Sequence, residues 1–139
     1  MTDMRRVRAA ATPVSWSPAA LATGFPSPAQ DYWAPPVDLT EVLVRDGPAT
    51  FLARVAGDSM IEAGIFDGDV VVVDRSLEAG VGDVVVAVVD GEFTLKRLAS
   101  SGGRVVLRAE NRRYPDLAIA EGSEVRVWGV VTWNLHQLR

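Results

Sequence analysis

The sequence of 139 residues contains no cysteine and only one histidine, His136. Disulfides and thiolate catalysis are therefore excluded, and one histidine gives no basis for a zinc site, so we expect no metal and no cofactor. No apolar run is long enough to span a membrane, and no apolar segment follows the arginines near the N-terminus. We therefore expect no signal peptide, no membrane association and a cytoplasmic location.

The chain also lacks an excess of positive charge. It carries 14 Lys and Arg residues against 18 Asp and Glu residues, a formal net charge of -4. An acidic protein does not attract nucleic acid by bulk electrostatics, so we expect no direct sequence-specific DNA binding. Hydrophobic residues make up 48% of the chain, which is enough for one domain with its own core.

Residues 1–36 differ from the rest in composition and show no helical or alternating period. Proline removes a backbone donor and favours extended neighbours, which predicts an extended arm over residues 1–36 and a separate domain over residues 37–139. Linkers are usually poor in aromatic residues, so the four in this arm indicate that part of it docks. The arm contains Pro13, Pro18, Pro26, Pro28, Pro35 and Pro36, and Trp16, Phe25, Tyr32 and Trp33.

The remaining chain predicts one short helix and then strands. Asp38, with Glu41 three residues later, predicts the start of a helix that ends before Gly47-Pro48. Asp90-Gly91 predicts a two-residue hairpin turn. Short valine-rich runs between turn residues predict strands over 50–55, 70–74, 83–89, 92–99, 104–109 and 124–134. The predicted fold is mostly β: a small, mainly antiparallel, barrel-like coiled sheet with an extended N-terminal arm and one short helix.

The motif Gly57-Asp58-Ser59-Met60 lies between a predicted strand and one helical turn that Gly64 closes. A serine at such an elbow presents its hydroxyl outward and leaves its backbone N–H free. Acyl transfer needs both features in a nucleophile. In isolation the motif is more typical of a helix N-cap, so Ser59 needs a partner base before it indicates chemistry.

Lys96 is the candidate base. It lies beside Arg97 on the predicted strand 92–99, and of these two cations only lysine can lose its proton. Burial can lower a lysine pKa by about 3–5 units from about 10.4, which would let the amine accept the Ser59 proton. A surface lysine with an exposed ammonium is the alternative. A Ser59–His136 pair is another alternative, although no acid is evident that would orient the histidine.

Other polar groups are interpreted as structural. Asp67, Asp69, Asp74 and Asp83 lie in or next to predicted turns, and we interpret them by turn chemistry and expect them to be solvated. Arg112-Arg113-Tyr114 is predicted to be a solvated loop, because two arginines in an acidic domain do not form a nucleic-acid site.

The Ser59 motif and the segment from Asp90 to Arg97, taken together, closely resemble the Ser/Lys self-cleaving peptidase domain shared by LexA-type repressors and UmuD-type mutagenesis proteins. The arm is also similar to this family, since residues 24–32 resemble the segment that follows the UmuD cleavage site. Only 23 residues precede Gly24, which leaves no room for the helix-turn-helix domain of LexA-type repressors and favours the UmuD branch. Further similar stretches are residues 64–69, 73–74, 82–85 and 127–131.

The resemblance implies roles for individual residues. Ser59 would be the nucleophile and Lys96 the general base, and the backbone N–H groups of Asp58 and Ser59 would form the oxyanion hole. The cleaved bond would be Thr23-Gly24. The family usually has alanine or cysteine where this chain has Thr23, and the bulkier threonine bears on the cleavage rate.

The resemblance also implies partners and a function. We expect a homodimer, a RecA–single-stranded-DNA filament as coprotease, and a UmuC-type translesion DNA polymerase that the trimmed dimer joins. The predicted function is that of a self-cleaving SOS-response mutagenesis protein. The alternatives are a non-catalytic dimeric module of the same fold, a LexA-like regulator without its DNA-binding domain, and a signal peptidase, against which the missing membrane anchor argues.

Overall fold

The computed structural model describes residues 4–6, 13–17, 20–21, 23–25, 34–119, 122 and 124–139. Strands dominate these residues, with one short α-helix and two 3₁₀ turns at Gly47–Ala49 and Ile61–Ala63. The elements in chain order are β1 (Met4–Arg6), β2 (Pro13–Trp16), β3 (Ala34–Asp38), α1 (Leu39–Leu43), β4 (Thr50–Arg54), β5 (Val70–Asp74), β6 (Val84–Val89), β7 (Glu92–Ser101), β8 (Arg104–Arg108), β9 (Leu117–Ala118) and β10 (Val125–Leu135).

Eight strands form one antiparallel sheet in the order β1-β4-β5-β10-β6-β7-β8-β9, and β2 pairs with β3 in a second, two-stranded sheet. The long strand β10 lies in the middle, where it pairs with β5 on one side and β6 on the other. Its register shifts once along each partner, and such bulges add local twist. The sheet is coiled but not closed. The predicted fold class is confirmed.

All six predicted strands are present, and their ends differ by at most two residues from the prediction. The Asp90-Gly91 hairpin is also confirmed: both residues have positive φ, 49° and 79°, and Val89 faces Glu92 across the turn. The structure adds β1, β2, β3 and β9, which the sequence did not indicate. These strands are two to five residues long, and β2 and β3 contain prolines.

The buried side chains form two clusters on opposite faces of the sheet, and β6 contributes to both. Val86 belongs to the first cluster, together with Met60 and Leu95. Val85 and Ala87 belong to the second cluster. Successive residues of a strand point to opposite faces, so the unbroken valine runs reflect strands that are covered on both sides.

One described part of the arm, β1, pairs with the main sheet. In β1, Met4 faces Ala53 of β4 and packs against the first cluster, while the Arg6 guanidinium lies 5.5 Å from the centre of the Phe51 ring. The predicted division at residues 36 and 37 stays a prediction, and β3 runs across it.

Gly129 lies where β10 passes close to β5. A Cβ atom built on Gly129 would lie 2.6 Å from Cγ1 of the fully buried Val73. We predict that Gly129→Ala destabilises the protein by about 1–3 kcal/mol, because β10 and β5 must separate to relieve the overlap. Gly80→Ala is the matched control, since its Cβ would meet only Asp83 Oδ2 at 3.9 Å. Equal unfolding midpoints for the two variants in urea would contradict this prediction.

Candidate active site

The turn that carries Ser59 is held from both sides. Gly57, with φ of 95°, donates its N–H to the Asp67 carboxylate at 2.8 Å. On the other side of Ser59, Met60 is 2% exposed and anchors the turn in the first core cluster. Gly64 closes the following 3₁₀ turn in the left-handed conformation, with φ of 77°. Ser59 therefore lies on a short, fixed elbow, as its motif predicted.

Lys96 reaches this elbow from β7. Its Nζ atom lies 3.3 Å from Ser59 Oγ, within hydrogen-bond distance. The Lys96 side chain is half-buried, and this burial lowers the pKa of its ammonium below the ordinary lysine value. The structure thus brings together the two residues that the sequence nominated as a catalytic pair, although their roles stay predictions.

A small cleft of about 60 Å³ lies next to the pair, between the Ser59 turn and the strand β7. The backbone amides of Asp58 and Ser59 have no hydrogen-bond partner among the residues that the structure describes. Two adjacent free N–H groups beside a nucleophile are what an oxyanion hole requires. The cleft is lined by Val55, Ala56, Gly57, Ser59, Met60, Phe93, Thr94 and Leu95.

The loop after β8 also holds the Ser59 turn, and the sequence analysis missed this. The buried Asn111 donates from Nδ2 to the Asp58 carbonyl oxygen at 2.8 Å. The Tyr114 hydroxyl donates to the Asp58 carboxylate at 2.5 Å. The Glu62 amide donates to the Glu110 carbonyl at 2.8 Å. No sequence pattern separated Asn111 from an ordinary turn asparagine, because its partner lies in a distant segment.

Arg112-Arg113-Tyr114 is exposed, as predicted, but the Tyr114 hydroxyl also makes a hydrogen bond that the prediction did not include. The hydrogen bond to the Asp58 carboxylate raises the pKa of Tyr114, so its hydroxyl keeps the proton that it donates.

His136 lies against a buried carboxylate. Its Nδ1 atom is 2.5 Å from Asp69 Oδ1, and the centre of its ring is 5.4 Å from that of Phe66. The prediction that no acid orients His136 is wrong, but the contact observed at Ser59 Oγ comes from Lys96.

Asp69 and Asp74 are only 4% and 2% exposed, so the expectation that they are solvated is also wrong.

Asp69 remains ionised despite its burial. Burial alone raises the pKa of this carboxyl group, but hydrogen bonds from Asn134, the Phe66 amide and His136 outweigh it. The pKa of Asp69 therefore lies below the ordinary aspartate value. A carboxylate with a depressed pKa stabilises the fold above the unfolded-state value, and this contribution is lost as pH falls through the folded-state pKa.

We predict that Asp69→Asn lowers the free energy of unfolding at pH 7 by about 1–3 kcal/mol, because it removes charged hydrogen bonds from a buried site. The difference from the parent protein should shrink as pH falls below about 4, where the parent carboxylate also becomes protonated. Urea unfolding from pH 3 to 7 measures this. Asp90→Asn, at an exposed turn position that tolerates asparagine, is the control. A difference that does not vary with pH would contradict the prediction.

The predicted cleavage site lies outside the cleft in this arrangement. Thr23 and Gly24 are exposed and belong to the connection between β2 and β3. A Cβ atom built on Gly24 would meet no atom within 4 Å. The Thr23-Gly24 bond is therefore open to solvent here and has to move before Ser59 could attack it.

Over the residues that the structure describes, no helix is long and apolar enough to cross a membrane. Within the same residues, no three histidine or acidic side chains lie together in a way that could hold a metal ion.

The fold and the serine elbow define the class of protein, and comparison with known families agrees. The chain belongs to the Peptidase S24-like family, which matches residues 15–132. Among curated relatives, MucA from Salmonella typhimurium is 47% identical over 116 residues, which cover 83% of this chain and 79% of MucA. SamA from Salmonella typhimurium is 44% identical over 116 residues, which cover 84% of this chain and 80% of SamA.

The LexA repressor of Magnetococcus marinus is 48% identical over 85 residues, but these cover only 61% of this chain and 36% of the repressor. The similarity to MucA and SamA covers a much larger share of this chain and of each relative. The resemblance to UmuD-type members of the LexA/UmuD family is therefore confirmed. The predicted function, a self-cleaving mutagenesis protein of the SOS response, is confirmed at the level of the family.

Proposed function

We propose that Ser59 and Lys96 form a catalytic dyad that cleaves the chain's own Thr23-Gly24 bond. The 3.3 Å contact between Lys96 Nζ and Ser59 Oγ carries this proposal. The half-buried setting of Lys96 supports it, because burial lowers the lysine pKa and raises the neutral fraction of the amine. Both observations count against a non-catalytic module, which would need neither a buried amine nor its alignment with a hydroxyl.

The reaction begins with the neutral Lys96 amine. It accepts the Ser59 hydroxyl proton while Ser59 Oγ forms a bond to the carbonyl carbon of Thr23. The oxyanion that develops accepts hydrogen bonds from the free N–H groups of Asp58 and Ser59. When the bond from Thr23 to Gly24 breaks, the Lys96 ammonium returns the proton to the Gly24 amine. Water then hydrolyses the Thr23 ester and frees Ser59.

The arm must change position before this chemistry begins. Thr23 and Gly24 are exposed in the described structure, so the cleavable arrangement is a different conformation of the arm. A partner that binds this conformation more tightly increases its population. In this proposal the partner is a RecA–single-stranded-DNA filament. The trimmed product is a cytoplasmic homodimer that joins a UmuC-type translesion DNA polymerase and makes no sequence-specific DNA contacts itself.

We predict that the intact protein, incubated with RecA, ATP and single-stranded DNA, yields one new product whose N-terminus is Gly24. Ser59→Ala should not be cleaved. Lys96→Arg should fail equally, because its guanidinium keeps its proton at any usable pH. N-terminal sequencing identifies the product, and circular dichroism shows whether each variant is folded. A product that starts elsewhere would overturn the site assignment, and normal cleavage of Lys96→Arg would exclude Lys96 as the base.

The pH dependence of unassisted self-cleavage tests the base without any partner. Only neutral Lys96 accepts a proton, so the rate should rise about tenfold per pH unit below the lysine pKa. Because burial lowers the pKa of Lys96, the rate should level off below the ordinary lysine value of about 10.4. The measurement is the first-order loss of intact chain from pH 6 to 10, with His136→Ala as the matched variant. A plateau near pH 6.5, together with inactivity of His136→Ala, would transfer the role to His136.

A further inference from the structure

The peptide group between Asp58 and Ser59 carries one of the two N–H groups of the proposed oxyanion hole. A trans peptide is planar, and its C=O and N–H bonds point in opposite directions. Whatever holds the Asp58 carbonyl therefore also aims the Ser59 N–H. The direction of this N–H matters, because an oxyanion-hole donor acts only when it points at the position of the developing charge.

Asn111 holds this carbonyl. Its Nδ2 atom donates to the Asp58 oxygen at 2.8 Å, whereas the Ile61 amide is a more distant donor at 3.5 Å. The other end of the Asn111 amide is also engaged, because Oδ1 accepts the Arg113 backbone N–H at 3.0 Å. Asn111 is only 6% exposed. A buried side chain bonded at both ends has one available orientation, so it can set the orientation of the peptide that it contacts.

Two further hydrogen bonds connect the loop after β8 to the turn that carries Ser59. Tyr114 binds the Asp58 carboxylate, and the Glu62 amide binds the Glu110 carbonyl on the far side of Ser59. Glu110 is itself tied to β7, since Arg97 Nε lies 2.6 Å from its carboxylate. Arg97 directly follows Lys96 in the sequence. The loop thus connects the nucleophile turn to the strand that carries the proposed base.

We propose that Asn111 is a positioning residue for catalysis: by holding the Asp58 carbonyl, it turns the Ser59 N–H toward the cleft, where the oxyanion forms. This inference rests on the proposed function of Ser59. Asn111 touches neither the substrate nor the reacting atoms. Its loss should therefore lower the rate of the chemical step without changing the pKa of the base.

The sharpest variant is Asn111→Asp, which keeps the size of the side chain and the acceptor for the Arg113 N–H but removes the donor to Asp58. We expect the plateau rate of self-cleavage at high pH to fall by about tenfold or more, toward the 10²–10³-fold loss seen when an oxyanion-hole donor is removed. The pH at half-maximal rate should stay unchanged in the uncharged variant Asn111→Ala, whereas the new carboxylate of Asn111→Asp would itself raise the pKa of Lys96. Arg113→Ala is the matched control, because it keeps the backbone N–H and should cleave at the parent rate.

A second readout separates this inference from the proposed cleavage of Thr23-Gly24. A fluorophosphonate reacts with an activated serine to form an Oγ–P bond as fluoride leaves, and the phosphoryl oxygen needs the same N–H donors. Labelling of Ser59 should slow in Asn111→Asp to the same extent as self-cleavage. If the parent protein is labelled at Ser59 but does not cut at Gly24, the proposed substrate is wrong while the role of Asn111 is still measured.

Three results would overturn the role of Asn111. The first is parent-like labelling and cleavage in a folded Asn111→Asp variant. The second is a shift of the pH profile of the uncharged variant Asn111→Ala rather than of its plateau, because Asn111 would then act on Lys96. The third is loss of the folded state, by thermal unfolding, in both Asn111→Asp and the uncharged Asn111→Ala, because Asn111 would then serve the fold alone.

Discussion

The pairing of β10 with two different strands is the constraint on which the rest of the structure depends. One side of β10 bonds to β5, which continues from the Ser59 turn, and the other side bonds to β6, whose hairpin partner β7 carries Lys96. Without β10, no strand would join the half of the sheet that contains β5 to the half that contains β6 and β7. Gly129 permits β10 to lie close to β5, since any larger residue would overlap Val73.

This arrangement of strands explains how a flexible lysine is held in one position beside Ser59. A lysine side chain loses considerable rotamer entropy when it is fixed, and burial of its ammonium is unfavourable. The sheet imposes both conditions on Lys96, because β7 is paired along its length and its neighbour Leu95 is buried in the core. The depressed pKa of Lys96 is thus a consequence of its burial in a rigid fold.

The fold was largely predictable because its signals are local. Valine-rich runs, turn residues and the Asp90-Gly91 hairpin located six strands to within two residues. The pair of Ser59 and Lys96 was predictable because the motifs around both residues resemble one family. Asn111, Tyr114 and the Asp69–His136 pair were not predictable, because each depends on a contact between segments at least 50 residues apart. The strand β1 has only three residues, too few for an alternating pattern to emerge.

That short strand has a consequence for any cut in the chain between Arg6 and Thr50. While the chain is intact, β1 is tethered to β4, and such a tether gives an effective local concentration on the order of millimolar. Once the chain is cut, the same three-residue pairing becomes an association of two molecules. Dilution can then dissociate the fragment that carries β1 from β4. Its departure would leave the backbone of β4 unpaired along the outer edge of the sheet and would uncover the apolar surface that Met4 occupies. A single break in a peptide bond would then expose a strand edge and an apolar surface that the intact chain covers.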